Sequence, residues 1–417
     1  MAEIPVVQIL EKEKYFNQHI VSLPDAVPYP PLTAPSSLRI RTKVLSLTAN
    51  NLSYAKLGFL LGWWDVHPLP SSTSAPLSDS AKFGRTNCWG FAEVLESTFQ
   101  GISSGSFLWG YLPLGTLAQD VTVKETGVPG QIWITNEHRK NTMSVYNRYM
   151  VYPASLKEDI ERKSDAVAMD ASVKVMFETA FLLNRYAFSE IPENVVHPAM
   201  QASEPWGQAQ ADLTGATIIV LAPGAKAALA FAFELTHGRK AAKVHRVIGA
   251  ASDHSKTFVE GTGLYGEVVS TSASPSDVLS GLRVGKDEKV MVIDFGARAG
   301  AGKKWFSEVQ QTHSKTTIIS IGAELSGSSQ AEILKAVQEG GPGAVTPNAS
   351  DMRERAISKV GEKQYFEGLN NEWEAFKEGG IRGFSFKWGE GMEGVKKGWD
   401  LLCAGNVASE QALVYKL

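Results

Sequence analysis

The sequence predicts an α/β protein in two domains, one β-rich and one a doubly wound parallel sheet. Three observations carry this. Ala216–Tyr265 reads strand, tight turn, helix, strand, polar loop, the order of a first βαβ unit. Short β-branched runs recur at Val290–Asp294 (VMVID) and Thr316–Ile321 (TTIISI), with a helical stretch, Lys303–Thr312, between them. Residues 1–165 instead show strand-like segments punctuated by prolines and serines.

In chain order, Arg39–Leu47 (RIRTKVLSL) alternates basic and apolar residues like an exposed antiparallel strand. Gly84–Thr98, Phe107–Leu114 and Gln131–Thr135 read as further strands, and Pro68–Pro76 as a loop. A helix is predicted over Ala171–Phe188, with Val173, Met176, Phe177, Ala180, Phe181 and Leu183 on one face. Strand Ala216–Leu221, turn Ala222–Lys226, helix Ala227–Leu235, strand Val244–Gly249 and polar loop Ala251–Lys256 follow. Gly340–Pro347 reads as a loop and Tyr365–Phe376 as a helix. The tail Ile381–Leu417 holds a strand, a helix (Met392–Ala404) and a last strand (Ala412–Lys416). The switches of pattern place the β-rich domain at residues 1–170, completed by 380–417, and the parallel-sheet domain at 171–379.

A chain of 417 residues suits two cores. Lys and Arg number 41 against 44 Asp and Glu, so the net charge of −3 favours neither nucleic acid nor an acidic membrane surface. Cys88 and Cys403 make no disulfide framework and suit a reducing, cytoplasmic setting. Glu3, Glu11 and Glu13 oppose a secretory leader. The densest apolar run, Leu57–Trp64, is too short to span a membrane. Gly101-Ile102-Ser103-Ser104-Gly105 has the glycine spacing of a hydrolase elbow, but a strand-like segment follows it where an elbow needs a long helix. The histidines show no metal spacing, and His138-Arg139 reads as a surface or cleft-rim pair.

The turn after the first parallel strand aims backbone amides along a helix N-terminus, so Gly224, Ala225 and Lys226 are candidate pyrophosphate ligands. The glycine pattern is reduced to Gly224 beside Pro223, which lacks an amide, and a plain βα turn is the alternative. The second strand ends in Ala250-Ala251, with no carboxylate for a ribose 2′-OH. Ser252 and Lys256 offer a 2′-phosphate a hydroxyl and a cation, which favours NADP over NAD. Asp253 opposes this, and a solvated loop is the alternative.

The order of elements resembles the medium-chain dehydrogenase/reductase superfamily over nearly the whole chain. Val44–Gly58 (VLSLTANNLSYAKLG) is similar to its early Asn-Pro segment, with Asn50-Asn51 in place of Asn-Pro. Trp89–Gly110 is similar to its glycine-rich strand pair, Tyr146–Leu156 (YNRYMVYPASL) to its "VVPAS" strand, and Gly261–Val269 to the segment after the second nucleotide-binding strand. YNRY, the MFETAFLL helix and the substituted turn are similar to a divergent branch known mainly as a domain of unknown function in fungi and bacteria. The resemblance implies a GroES-like domain plus a Rossmann domain, with a small-molecule substrate in the cleft between them. Cys88-Trp89-Gly90-Phe91 stands where zinc members carry a His-Glu pair, and the thiols of a zinc lobe are missing, so no metal is expected. What remains is the zinc-free enoyl or quinone reductase style, NADP-dependent reduction of an activated C=C bond, with polyketide-like molecules among its substrates. In that frame Tyr54 is the candidate proton donor, Asn50 and Asn51 are candidate carbonyl donors, and Thr179 lies near the dinucleotide. The resemblance also implies a homodimer through the uncharged edge strand Thr316–Ile321. The rival readings are an isomerase, lyase or cyclase that has lost or repurposed the dinucleotide site, and a non-catalytic binding protein.

Overall fold

The computed structural model describes residues 3–199, 205–239, 243–298, 300–322 and 345–417. One compact unit comprises Met1–Ser172, Ser385–Val407 and Gln411–Leu417; the other comprises Val173–Phe384 and Ala408–Glu410.

The first unit is built from β1 (Val6–Glu11), β2 (Gln18–Ser22), β3 (Ser37–Leu47), β4 (Phe83–Gly84), β5 (Asn87–Ser97), β6 (Phe107–Pro113), β7 (Gln119–Glu125), β8 (Gln131–Ile134) and β9 (Arg148–Tyr152). The tail adds strands Ser385–Glu390 and Gln411–Lys416. The sheet runs from Ser385–Glu390 through Gln411–Lys416, β3, β5, β6, β9 and β8 to β7, and β7 pairs back onto β3. That last pairing closes β3, β5, β6, β9, β8 and β7 into a barrel, from which the two tail strands extend. One edge of β3 is shared: Ser37–Ile40 pair with β7, and Val44–Leu47 with Leu413–Lys416. β6 holds a glycine because β9 lays an aromatic ring on it; a Cβ at Gly110 would stand 2.2 Å from Tyr149 Cδ1.

Arg39–Leu47 is not the exposed strand its alternation suggests. β3 is largely buried because both its edges are paired and its longest cation is neutralised in place. Arg39 Nε and Nη2 donate to the two carboxylate oxygens of Asp120 at 2.7 and 2.8 Å. The helix Ala49–Leu61 was not predicted. It opens where Thr48 N–H donates to Asn51 Oδ1 (2.6 Å) and stops at Gly62, φ +68°.

The second unit holds a parallel sheet of β10 (Thr217–Leu221), β11 (Arg246–Ala251), β12 (Glu267–Ser270), β13 (Val290–Phe295) and β14 (Thr316–Gly322), in the order β12-β11-β10-β13-β14. The order reverses between β10 and β13, which puts a crevice at their C-terminal ends. Two expectations are corrected here. The predicted helix Ala171–Phe188 is broken: one helix ends at Ser172, another spans Lys174–Leu182, and Leu183–Ala187 is a π-turn. The second parallel strand ends at Ala251 instead of Gly249, and Ala251–Lys256 is no loop; Asp253–Thr262 is a helix with Ser252 at its N-cap position. The edge of β14 is already bonded, for Val345 N–H donates to Ile318 O and Ser320 N–H to Val345 O, both at 2.9 Å. Val345–Pro347 carry bridges, and the rest of the predicted Gly340–Pro347 loop lies outside the described residues.

Candidate functional site

In the barrel unit, the helix Ala49–Leu61 carries Asn50 and Tyr54 one turn apart, hydrogen-bonded to each other. Tyr54 is buried, and Trp89 Nε1 donates to its hydroxyl at 2.9 Å. The rings of Trp63 and Tyr111 meet Tyr54 edge-on at 4.9 and 5.0 Å, and Tyr146 closes the cluster at 6.0 Å. Burial raises the Tyr54 pKa strongly, so the phenol keeps its proton. Asn51 is used by the fold: Oδ1 accepts from Thr48, and Nδ2 donates to Asn87 O at 2.7 Å. Cys88, at the start of β5, is wholly buried and its thiol donates to Leu112 O at 3.3 Å. Burial pushes that thiol's pKa up, away from the thiolate a metal would take.

A cationic group beside these aromatics was not foreseen. His67, Arg85 and Arg139 are all buried, so Arg139 is no surface or rim residue. Arg139 donates through Nη2 to Tyr146 O (2.7 Å) and through Nη1 to the Tyr149 hydroxyl (3.2 Å). His67 Nδ1 lies 3.1 Å from Gln119 Oε1, and its ring is 6.4 Å from that of Tyr111. Burial, then Arg139 and Arg85, hold His67 well below its ordinary pKa, hence neutral. Arg85 stands two residues before β5, and a cation just ahead of the apolar run Cys88-Trp89-Gly90-Phe91 is the sequence signal that marks it.

In the second unit, Ala222 takes φ +54° and Ala225 N–H donates to Ala222 O at 2.9 Å, closing the turn between β10 and the helix Lys226–Phe233. The Tyr265 hydroxyl donates to Pro223 O at 2.8 Å. A Cβ on Gly224 would stand 3.0 Å from Ser409 Cβ, so the chain's own Ser409 covers the open side of that glycine. Lys226 is the first residue of the helix; burial pulls its ammonium down to about 8, and Nζ sits 5.5 Å from the centre of the Phe384 ring. β11 is the neighbour of β10, so Ser252 and Lys256 follow the same C-terminal sheet edge. The Ser252 hydroxyl is 2.9 Å from that of Ser255, Lys256 Nζ is 3.8 Å from Glu260, and Asp253 accepts from the Ser270 hydroxyl at 3.0 Å. Thr179 lies half-buried on the helix Lys174–Leu182, which packs on Lys226–Phe233. The helix Asp253–Thr262 also walls a cleft of about 500 Å³, with Arg382 and Glu410 on its far side. The helix N-terminus, the Ser252 hydroxyl and the Lys256 cation fit a phosphorylated dinucleotide; Gly224, under Ser409, does not offer its usual approach.

Two more buried polar clusters lie in this unit. Glu178 accepts from Arg353 Nε (2.5 Å) and Nη2 and from the Tyr365 hydroxyl (2.7 Å). Glu234 opens a second π-turn, Glu234–Gly238, and is hydrogen-bonded to Glu372, which pairs with Arg185. Burial first, and then Glu372, push the Glu234 carboxyl well above the usual range.

A family model described as "Protein of unknown function (DUF2855)" matches residues 45–408. No curated protein matches the sequence. Among solved structures, the chain is similar to the CurK enoyl reductase, with a TM-score of 0.54 at 13% identity over 99% of each chain. It is similar to CurA from Vibrio vulnificus in complex with NADPH, with a TM-score of 0.53 at 13% identity over 99% of this chain and 98% of that one. It is also similar to a putative NADPH:quinone reductase from Bacillus thuringiensis, with a TM-score of 0.54 at 10% identity over all of both chains. These likenesses establish the fold, a GroES-like barrel unit with a Rossmann unit.

Proposed function

We propose that this chain, which belongs to the DUF2855 family and has the fold of the medium-chain dehydrogenase/reductases, is a zinc-free, NADP-dependent reductase of an activated C=C bond in a small molecule. The observation that carries the reading is Tyr54: a phenol kept protonated by burial, oriented by Trp89 and Asn50, among aromatic rings. Such a group gives its proton, or a hydrogen bond, to a carbonyl oxygen as enolate charge develops. Asn50 is a second donor on the same helix face. NADPH, when bound, supplies the hydride. The Lys226–Phe233 helix N-terminus would hold its diphosphate, and Ser252 and Lys256 its 2′-phosphate, with Thr179 on the adjacent helix. Cys88, bonded to Leu112 O, supports the zinc-free form of the reading. A homodimer and a cytoplasmic setting belong to the same proposal.

Ser409 over Gly224 and Tyr265 on Pro223 O favour one rival, an isomerase, lyase or cyclase without a working dinucleotide site. Thermal melting separates the two, since a ligand bound only to the folded state raises the melting temperature. NADPH is expected to raise it more than NADH. Lys256→Ala weakens NADPH by ~1–3 kcal/mol, the scale of a charge-assisted hydrogen bond, and leaves NADH nearly unchanged. NADPH consumption with small enones should then be seen and be lost in Tyr54→Phe. No shift with either dinucleotide at millimolar concentration hands the reading to the rival.

A further inference from the structure

The barrel unit buries positive charge that its own carboxylates do not answer. Arg85 Nε and Nη2 are both buried and have no hydrogen-bond partner among the described residues. These two N–H groups form one edge of the guanidinium, the edge whose spacing matches the two oxygens of a carboxylate. The same chain uses that edge twice for this purpose. Arg39 Nε and Nη2 hold Asp120, and Arg353 Nε and Nη2 hold Glu178. Arg85 and Arg139, whose Nε also lacks a partner among the described residues, both depress His67.

We propose that the Arg85 edge is a carboxylate-binding site, which makes the small-molecule substrate of the proposed reaction a carboxylic acid. Burial draws the Arg85 guanidinium down to about 10, with only Cys88 opposing it, as expected of a buried cation that lacks an anion. Arg139 supplies a second positive charge near His67, and the Tyr111 ring meets both His67 and Tyr54. Arg85 and Tyr54 are thus linked within one unit, through His67 and Tyr111. A carboxylate held by two parallel N–H···O bonds fixes its carbon skeleton in direction as well as position, which a point charge does not do. The assignment of the ligand as substrate rests on the proposed reductase reading; the site itself rests on the barrel unit alone.

The test is thermal melting of the whole protein in sodium formate against sodium chloride at matched ionic strength, with no dinucleotide present. Formate is expected to raise the melting temperature saturably. Arg85→Met is expected to melt in chloride no lower than the parent protein and to show no response to formate. Arg85→Lys, which keeps the charge and loses the two-pronged edge, is expected to bind formate at least tenfold more weakly, and it decides the matter should Arg85→Met fail to fold. A parent protein indifferent to formate, or an Arg85→Lys variant with unchanged response, overturns the proposal. Inorganic phosphate is the second probe, and a larger response to it than to formate overturns the carboxylate class. A response to formate with none to NADPH keeps the site and removes the reductase.

Discussion

Arg353 and Arg85 are both buried guanidiniums, one in the parallel-sheet unit and one in the barrel unit. Arg353 grips Glu178 with the Nε–Nη2 edge, and Tyr365 donates to the same carboxylate. The group ties three helices, Lys174–Leu182, Ala349–Val360 and Glu362–Gly379, through atoms the chain supplies. Arg85 turns the same edge toward no carboxylate among the described residues. A buried charge is retained when its partner is worth the desolvation. For Arg353 that partner is part of the fold, and removing the arginine damages the fold. For Arg85 the fold gains nothing from the charge, and removing the arginine damages only what the charge is for.

The sharpest way to break this contrast is Arg353→Met. It leaves the Glu178 carboxylate buried without its cation and should lower stability by ~3–5 kcal/mol, read by urea denaturation. Pairing it with Glu178→Leu should recover much of the loss. A loss no larger than that of Arg85→Met would erase the distinction. Glu234→Gln probes a buried acid that burial keeps protonated. Because the folded carboxyl is raised above its unfolded value, the folded state holds more protons than the unfolded one across the window between the two. Parental stability therefore falls as pH rises from the ordinary carboxylate range, and the amide, which does not titrate, removes that slope. The stability of the variant relative to the parent should rise with pH by at most ~1.4 kcal/mol per pH unit, and parallel pH profiles for the two proteins would refute the assignment. The smallest effect is expected at the βα turn, where partners are internal. Tyr265→Phe removes one donor from Pro223 O and should destabilise by ~1 kcal/mol, measured the same way; no change would mean that the turn does not depend on that bond.

The parallel strands were legible because β-branched runs such as Thr217–Leu221 and Val290–Phe295 are buried on both faces and carry little else. Ser252 followed by Asp253 was a helix start written in the sequence, a cap residue and an acid in the first turn, but the polar string that follows hid it. The helix Ala49–Leu61 was hidden differently, since its apolar residues lie all round and give no single face. Tyr54 was nominated through its surrounding segment. Arg85 and Arg139 were not, because a lone arginine reads as solvated unless its three-dimensional neighbours are known. Their neighbours here come from separate strands and turns, at His67, Cys88 and Tyr149.

The divided edge of β3 has a consequence for the order in which the protein can be completed. Residues Val44–Leu47 wait for Leu413–Lys416, which a ribosome makes some 370 residues later. All of Val173–Phe384 has been made by then, so the Rossmann unit has its strands in hand while the barrel unit still exposes half an edge of β3. Domains tend to fold as their residues emerge. In this chain the unit that begins first finishes last, and until it does, Leu45 and Leu47 present an unpaired strand to any other edge in reach.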